Sequence, residues 1–309
     1  MRVLVMGAGA IGSLFGGMLQ AAGNDVTFVA RGAHLAALRE RGLEAHGASL
    51  SGRLRPVDAV ASPAEAAGPA GLVLFTVKAY DTETAAEALR PAVGPRSVVV
   101  TLQNGIESAA RVGAIVGAER VLIGTATVTA TVTAPGVVAQ TGAHCGIALA
   151  EPAGGATARL EAVAAALRDA GIAVTVGAEP GPVLWRKFVW LAPTATVASA
   201  CGSAVGPILA TAEGAALYRA AVAETVAVGR AAGVSLPADA VDATLAMLAA
   251  MPEEKPSMLV DYERGRRVEL EELTGAVVRL GRARGVPTPT YDTLYAALKV
   301  RALVAAARA

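Results

Sequence analysis

Apolar residues along the chain fall into two rhythms, and the change from one to the other divides it. Arg2–Met6 is an apolar run of strand length, followed at once by Gly7-Ala8-Gly9-Ala10-Ile11-Gly12. From Ile11 to about Ala22 the apolar positions recur at helical spacing and stop at Gly23-Asn24, and Asp25–Ala30 then reads as a second strand. Strand, glycine turn, helix and strand within about 30 residues is the length of one βαβ unit. Further apolar runs at Leu72–Val77, Ser97–Leu102 and Arg120–Ile123 alternate with helical patterns such as Glu83–Leu89. Alternation of this kind predicts a parallel, doubly wound sheet.

The character changes after Thr125. Val128–Ala134, Gly136–Thr141 and Cys145–Leu149 read as short strands joined by tight turns, in antiparallel order. A helix over Thr157–Ala170 and a strand over Ile172–Val176 complete this half. Gly177-Ala178-Glu179-Pro180-Gly181-Pro182 has the composition of a linker. Beyond Val183 the pattern is helical, over Leu184–Ala200, Glu213–Ala232, Ala238–Met251, Val268–Arg284 and Tyr291–Ala307. The expected architecture is therefore a Rossmann-type doubly wound α/β domain over residues 1–178, then an all-α domain over 179–309.

Composition narrows the function classes. The 309 residues are 54% hydrophobic but only 4% aromatic, so the core is built from Ala, Val and Leu. Lys plus Arg is 27 against 26 Asp plus Glu, which lacks the basic excess of a nucleic-acid protein. No run of about 18 apolar residues is unbroken, and no signal-peptide cleavage pattern follows the N-terminal strand. A cytoplasmic protein with a small-molecule partner is expected, without membrane or nucleic acid, and a homodimer is left open. Cys145 and Cys201 show neither metal-ligand spacing nor a disulfide framework, and the three histidines are scattered, so no metal site is expected.

The glycine loop carries the first chemistry. Gly7 permits a tight turn, Gly9 lets backbone approach a pyrophosphate, and Gly12 lets helix pack on strand. The N-terminus of the helix that follows, with Ala10 and Ile11 beside the phosphates, then offers its N–H groups and positive dipole to them. The end of the second strand carries Ala30-Arg31 where an NAD site usually has an acid. An arginine there pairs with a 2′-phosphate, so NADP(H) is the expected cofactor. Lysine occurs only four times, and Lys78 lies just past an apolar strand, at the carboxyl edge where open α/β sheets bind ligands. Asn104, one of two asparagines, lies just past the next strand. Its amide either binds the nicotinamide ribose or substrate, or with Gly105 simply makes the turn.

Taken in order, these landmarks resemble the ketopantoate reductase (2-dehydropantoate 2-reductase) family over nearly the whole chain. The resemblance includes the glycine loop, Arg31, Val77-Lys78, Gln103-Asn104-Gly105 and Trp185-Arg186-Lys187-Phe188. It continues through Pro256-Ser257-Met258-Leu259-x-Asp261 and Gly265-Arg266-x-x-Glu269. The family couples hydride transfer from NADPH to protonation of a 2-oxo group in pantothenate biosynthesis. The resemblance implies that Lys187 is the catalytic lysine, also touching substrate, and that Glu269 is the acid working with it. Ser257 is implied as a substrate-binding hydroxyl, Arg31 and Lys78 as cofactor phosphate contacts and Asn104 as a contact near the nicotinamide. One departure matters. The family usually places asparagines four and eight residues after the lysine, and this chain has Leu191 and Ala195 at those substrate-binding positions, with Pro193 between them. Thr194 and Thr196 replace those amides only if Pro193 turns them inward. The expected function is NADPH-dependent reduction of a 2-oxo acid to a 2-hydroxy acid. The alternatives are a more apolar 2-oxo acid or carbonyl substrate, and a non-catalytic NADP(H)-binding protein.

Overall fold

A computed structural model describes residues 1–306. Of the terminal helix expected over Tyr291–Ala307, Ala307 therefore lies outside the described residues. The chain forms two compact units, Met1–Val183 and Leu184–Ala309.

The first unit contains β1 (Arg2–Met6), α1 (Ala10–Ala21), β2 (Asp25–Val29), α2 (Gly32–Arg41), β3 (Leu43–His46), β4 (Gly52–Leu54) and β5 (Asp58–Val60). It continues with β6 (Ala70–Phe75), α3 (Thr82–Leu89), β7 (Val93–Thr101), α4 (Ser108–Val116), β8 (Val121–Ala134), β9 (Val137–Ala150), α5 (Ala158–Asp169) and β10 (Ala173–Val176). The sheet runs β4-β3-β9-β8-β7-β6-β1-β2-β5, with β10 also on β9. From β5 through β8 every pairing is parallel. The strand sequence leaves β1 through β2 to β5 on one side and resumes with β6 on the other. The topological switch point, where such sheets bind ligands, therefore lies outside the carboxyl ends of β1 and β6. Residues of alternating direction feed two apolar layers, one around Val3, Val5, Phe15 and Phe28 and the other around Leu4, Val73, Phe75 and Val99. Burial on both faces is what makes these strands read as continuous apolar runs.

The antiparallel region is one hairpin of two 14-residue strands, β8 and β9, rather than three short strands. Its register passes from Val128↔Cys145 directly to Thr129↔Thr141, so residues 142–144 are extruded from the ladder. Gly142 adopts φ +73° there, and this excursion is the apparent break in the sequence pattern.

The second unit is helical. α6 (Pro180–Cys201) is followed by α7 (Val205–Leu209), α8 (Ala212–Ala231), α9 (Ala240–Ala249), α10 (Ser257–Glu263), α11 (Thr274–Arg284) and α12 (Pro289–Ala306). Two corrections concern its boundaries. The apparent linker ends inside α6, because Pro180 opens the first helical turn, where a missing N–H costs nothing. The helix expected over Val268–Arg284 begins only at Thr274. Residues 268 and 269 are irregular and 270–273 form a turn instead, with Leu273 N–H donating to the Glu269 carbonyl and Gly275 N–H to that of Leu270. This irregular path buries Leu270 and Leu273 together with Glu269.

Hydroxyls knit the helices together. Thr196 of α6 bonds Thr274 of α11 at 2.8 Å, and Thr225 of α8 bonds the Tyr291 hydroxyl of α12 at 2.8 Å. Glu224 of α8 accepts the backbone N–H groups of Thr290 and Tyr291 at 2.9 and 3.0 Å. It thus caps the start of α12 with a carboxylate, where the helix dipole favours negative charge. Glu224→Ala should lower the unfolding free energy by about 1–2 kcal/mol, with Glu224→Gln costing less, as measured by urea denaturation.

Candidate functional site

The residues of the first unit that sequence singles out converge on the carboxyl edge of the sheet. Gly7 follows β1, Arg31 follows β2, Lys78 stands just beyond β6 and Asn104 just beyond β7. The glycine loop is shaped by close approach. Gly7 has φ +100°, and a Cβ there would lie 2.9 Å from the Val77 backbone nitrogen. A Cβ on Gly12 would lie 2.3 Å from the Gly7 carbonyl oxygen and 2.8 Å from the Val5 side chain. Gly9 differs: it is exposed, and nothing lies within 4 Å of where its Cβ would stand. The loop is packed at its two ends and open in the middle.

Two polar residues to which the sequence assigned no role hold this edge. Thr76 Oγ1 donates to the Gly7 carbonyl at 2.7 Å and faces that of Met6 at 3.2 Å, tying β6 to the loop after β1. Gln103 Nε2 donates to the Val77 carbonyl at 3.0 Å and to Thr82 Oγ1 at 2.9 Å. Both are polar residues at the carboxyl ends of apolar strands, and that position is the signal that could have found them.

α1 starts at Ala10 with Gly9 as its N-cap residue, no side chain capping it and no acid in its first turn. Its first N–H groups, those of Ala10 and Ile11 included, precede the first backbone bond of the helix, from Ser13 N–H to the Gly9 carbonyl at 2.8 Å. An open glycine beside an uncapped, acid-free helix start is a cradle for an anion of pyrophosphate size. α2 repeats the arrangement one strand away: Arg31 is its N-cap residue, exposed, with no acid in the first turn. Lys78 and Asn104 are both half-buried. These features fit a dinucleotide.

The second unit holds the other set. Trp185 and Phe188 anchor the start of α6, their rings edge-to-face at 5.3 Å, and Gly229 of α8 lets the helices meet, since a Cβ there would lie 2.7 Å from the Trp185 ring. Lys187 sits between these anchors. Burial pushes its ammonium down to about 8, while the charge of Glu269 acts in the opposite direction and favours the proton. Glu269 is buried in the turn before α11, and Ser257 is exposed as the first residue of α10. The structure therefore couples Lys187 to Glu269 electrostatically across about 80 residues of sequence.

Leu191 and Ala195 follow Lys187 at one and two helical turns. Leu191 is 8% exposed and Ala195 fully buried. α6 continues through Pro193 as a helix. The neighbouring threonines are committed elsewhere: Thr194 Oγ1 donates to the Trp190 carbonyl at 2.6 Å, and Thr196 is in the bond to Thr274. Both are fully buried. Among the described residues no helix is long and apolar enough to cross a membrane.

A family model described as "Ketopantoate reductase PanE/ApbA" matches residues 3–154, and its companion, "Ketopantoate reductase PanE/ApbA C terminal", matches 182–302. The chain is 35% identical to a 2-dehydropantoate 2-reductase of Halobacterium salinarum over 95% of this chain and 96% of that protein. A PanE/ApbA family ketopantoate reductase from Ralstonia eutropha superposes with TM-score 0.91 at 31% identity, over 99% of each chain. A D-mandelate dehydrogenase, 22% identical with TM-score 0.88 over 99% of each chain, shares the fold.

The glycines provide a paired test. Gly12→Ala should destabilise the protein by about 1–3 kcal/mol, because its methyl group meets backbone. Gly9→Ala should leave the thermal midpoint within about 1 °C while weakening dinucleotide binding, because its methyl group enters the open cradle. Thermal unfolding and fluorescence titration separate the two effects.

Proposed function

Because this chain belongs to the ketopantoate reductase family, an oxidoreductase family, we propose that it reduces a 2-oxo acid to a 2-hydroxy acid using NADPH. The observation that carries the reading is that one chain holds both an open glycine cradle at the start of α1 and a lysine, Lys187, whose proton is governed by burial and by Glu269. Residues 1–178 then bind the cofactor and residues 179–309 the substrate, in a cytoplasmic enzyme. Gly7, Gly9, Ala10, Ile11 and Gly12 hold the pyrophosphate, Arg31 and Lys78 the phosphates, and Asn104 the nicotinamide end. NADPH, when bound, supplies the hydride.

The protein's own part is charge and proton management. A carbonyl oxygen gains negative charge as it is reduced, and the Lys187 ammonium stabilises that charge and gives up a proton from Nζ. A surface lysine would hold its proton too tightly for this. Burial brings Lys187 to about 8, near a neutral working pH, and Glu269 keeps it from falling further. Ser257 supplies a substrate-binding hydroxyl. A non-catalytic NADP(H)-binding role has less support, since a sensor needs neither Lys187 nor Glu269.

One specific observation refines the substrate. Leu191 and Ala195 offer no side-chain amide, and the hydroxyls of Thr194 and Thr196 are bonded within the helical unit. We therefore propose a substrate more apolar than ketopantoate, contacting Leu191 with hydrocarbon; the fully buried Ala195 matters by lacking the amide rather than by touching the substrate.

Three experiments test the machinery. Arg31→Ala should raise the Kd for NADPH by about 10- to 100-fold and leave that for NADH unchanged, the loss expected of a charged hydrogen bond. Equal NADPH and NADH affinity in the wild type would contradict the cofactor assignment. Lys187→Ala should lower kcat by roughly 100-fold or more without changing NADPH affinity. In the wild type, kcat/KM for reduction should be level below pH about 8 and fall as pH rises through it, because the reaction needs the protonated amine. A profile that rises through this range would reassign the proton donor.

A further inference from the structure

His34 lies outside every role assigned above, yet its ring joins three separated parts of the first unit. It stands in the first turn of α2, half-buried, three residues after Arg31. Its Nδ1 accepts the backbone N–H of Gly136 at 3.1 Å, at the tip of the β8–β9 hairpin. Its Nε2 lies 3.4 Å from Ser13 Oγ, in the first turn of α1. Ser13 is fully buried, and its Oγ donates to the Ala8 carbonyl at 3.1 Å.

The hydrogen inventory gives this chain one direction. Gly136 N–H can only donate, so Nδ1 is the acceptor and a neutral ring carries its proton on Nε2. Nε2–H then donates to Ser13 Oγ, which leaves the serine proton for Ala8. Burial lowers the pKa of His34 and so favours the neutral ring that this direction requires. The recipient matters most. The Ala8 carbonyl belongs to the peptide leading into Gly9, and the N–H of that same peptide donates to the Gly7 carbonyl at 2.8 Å. Ala8's own N–H donates to the Val29 carbonyl at 2.9 Å. Both polar groups of the Ala8–Gly9 peptide are thus held, and one of those holds runs through Ser13 to His34.

The other end of the relay is anchored as firmly. Gly136 has φ +79°, and a Cβ there would lie 3.0 Å from the Ala37 side chain, so the hairpin tip rests against α2. Arg41 donates to the Pro135 carbonyl at 3.3 Å, and the Glu44 N–H to that of Gly136 at 2.9 Å. His34 therefore has a fixed base on one side and a loop to steady on the other.

We propose that His34 is a positioning residue for the dinucleotide, acting through Ser13 to hold the Ala8–Gly9 peptide in the orientation that receives the pyrophosphate. It touches no cofactor itself. The inference rests on the reading of the glycine loop as the cofactor cradle, and it predicts a defect in binding rather than in chemistry.

The test is a double-mutant cycle on the full-length protein, with NADPH Kd read by fluorescence titration. His34→Ala and Ser13→Ala should each raise Kd by about 3- to 10-fold, the range of one or two neutral hydrogen bonds. The double variant should be no worse than the weaker-binding single one, because both changes cut one relay. At saturating NADPH, kcat should stay at the wild-type value while KM for NADPH rises. His34→Gln places an N–H the same number of bonds from the backbone as Nε2 and should recover most of the affinity. Without ligand, amide hydrogen exchange at residues 8–13 should quicken in both alanine variants. Unchanged Kd in the two single variants, additive losses in the double one, or no rescue by glutamine would overturn the proposal. A wild type that binds no NADPH would instead bring down the cradle reading itself, which separates the two failures.

Discussion

The approach of α1 to β1 is the constraint on which the rest of the first unit depends. Gly12 has so little room that a single methyl group would collide with the Gly7 carbonyl and the Val5 side chain. The helix starts directly after the loop that ends β1, and its first N–H groups precede the helical ladder. Thr76 secures the same loop from β6, and Ser13 with His34 secures it from α2 and the hairpin. Gly9 is left open because everything around it is fixed.

The helical unit sets two opposite pulls on the proton of one lysine. Desolvation alone would neutralise a buried amine, and a strong ion pair alone would hold its proton against any substrate. α6 sets Lys187 between the Trp185 and Phe188 anchors, and the turn before α11 brings in Glu269 as a partly compensating charge. The turn is essential to this account. A regular helix starting at residue 268 would set the acids from Glu269 to Glu272 around its circumference, whereas the irregular path buries Glu269 and leaves Glu271 to bond Tyr295 at 3.0 Å.

Much of this was legible in the sequence, and the divide between what was and was not is physical. The βαβ unit and its glycines could be read because turn, close approach and helix start are local requirements on adjacent residues. The parallel strands could be read because burial on both faces makes them uniformly apolar. The β8–β9 hairpin was fragmented because a bulge looks like a turn when the pairing partner is unknown. The Pro180 turn looked like a linker because proline and glycine punctuate both. Thr76, Gln103, Ser13 and His34 stayed hidden because each acts through a partner distant in sequence, up to 102 residues in the bond between His34 and Gly136. The replacement of the family's asparagines by Leu191 and Ala195 was plain in the sequence. Only the structure showed that Thr194 and Thr196 are already committed.

On the proposed reading, Lys187 donates a proton and the glycine cradle holds NADPH for a 2-oxo acid whose side chain is more apolar than that of ketopantoate. The most direct measurement follows NADPH oxidation by the wild-type protein across a series of 2-oxo acids, from ketopantoate to bulkier apolar members. The account predicts turnover of 2-oxo acids with kcat/KM rising as hydroxyl is exchanged for hydrocarbon. Turnover that is fastest with ketopantoate would contradict the reading of Leu191 and Ala195, and no NADPH oxidation with any 2-oxo acid would contradict the account as a whole.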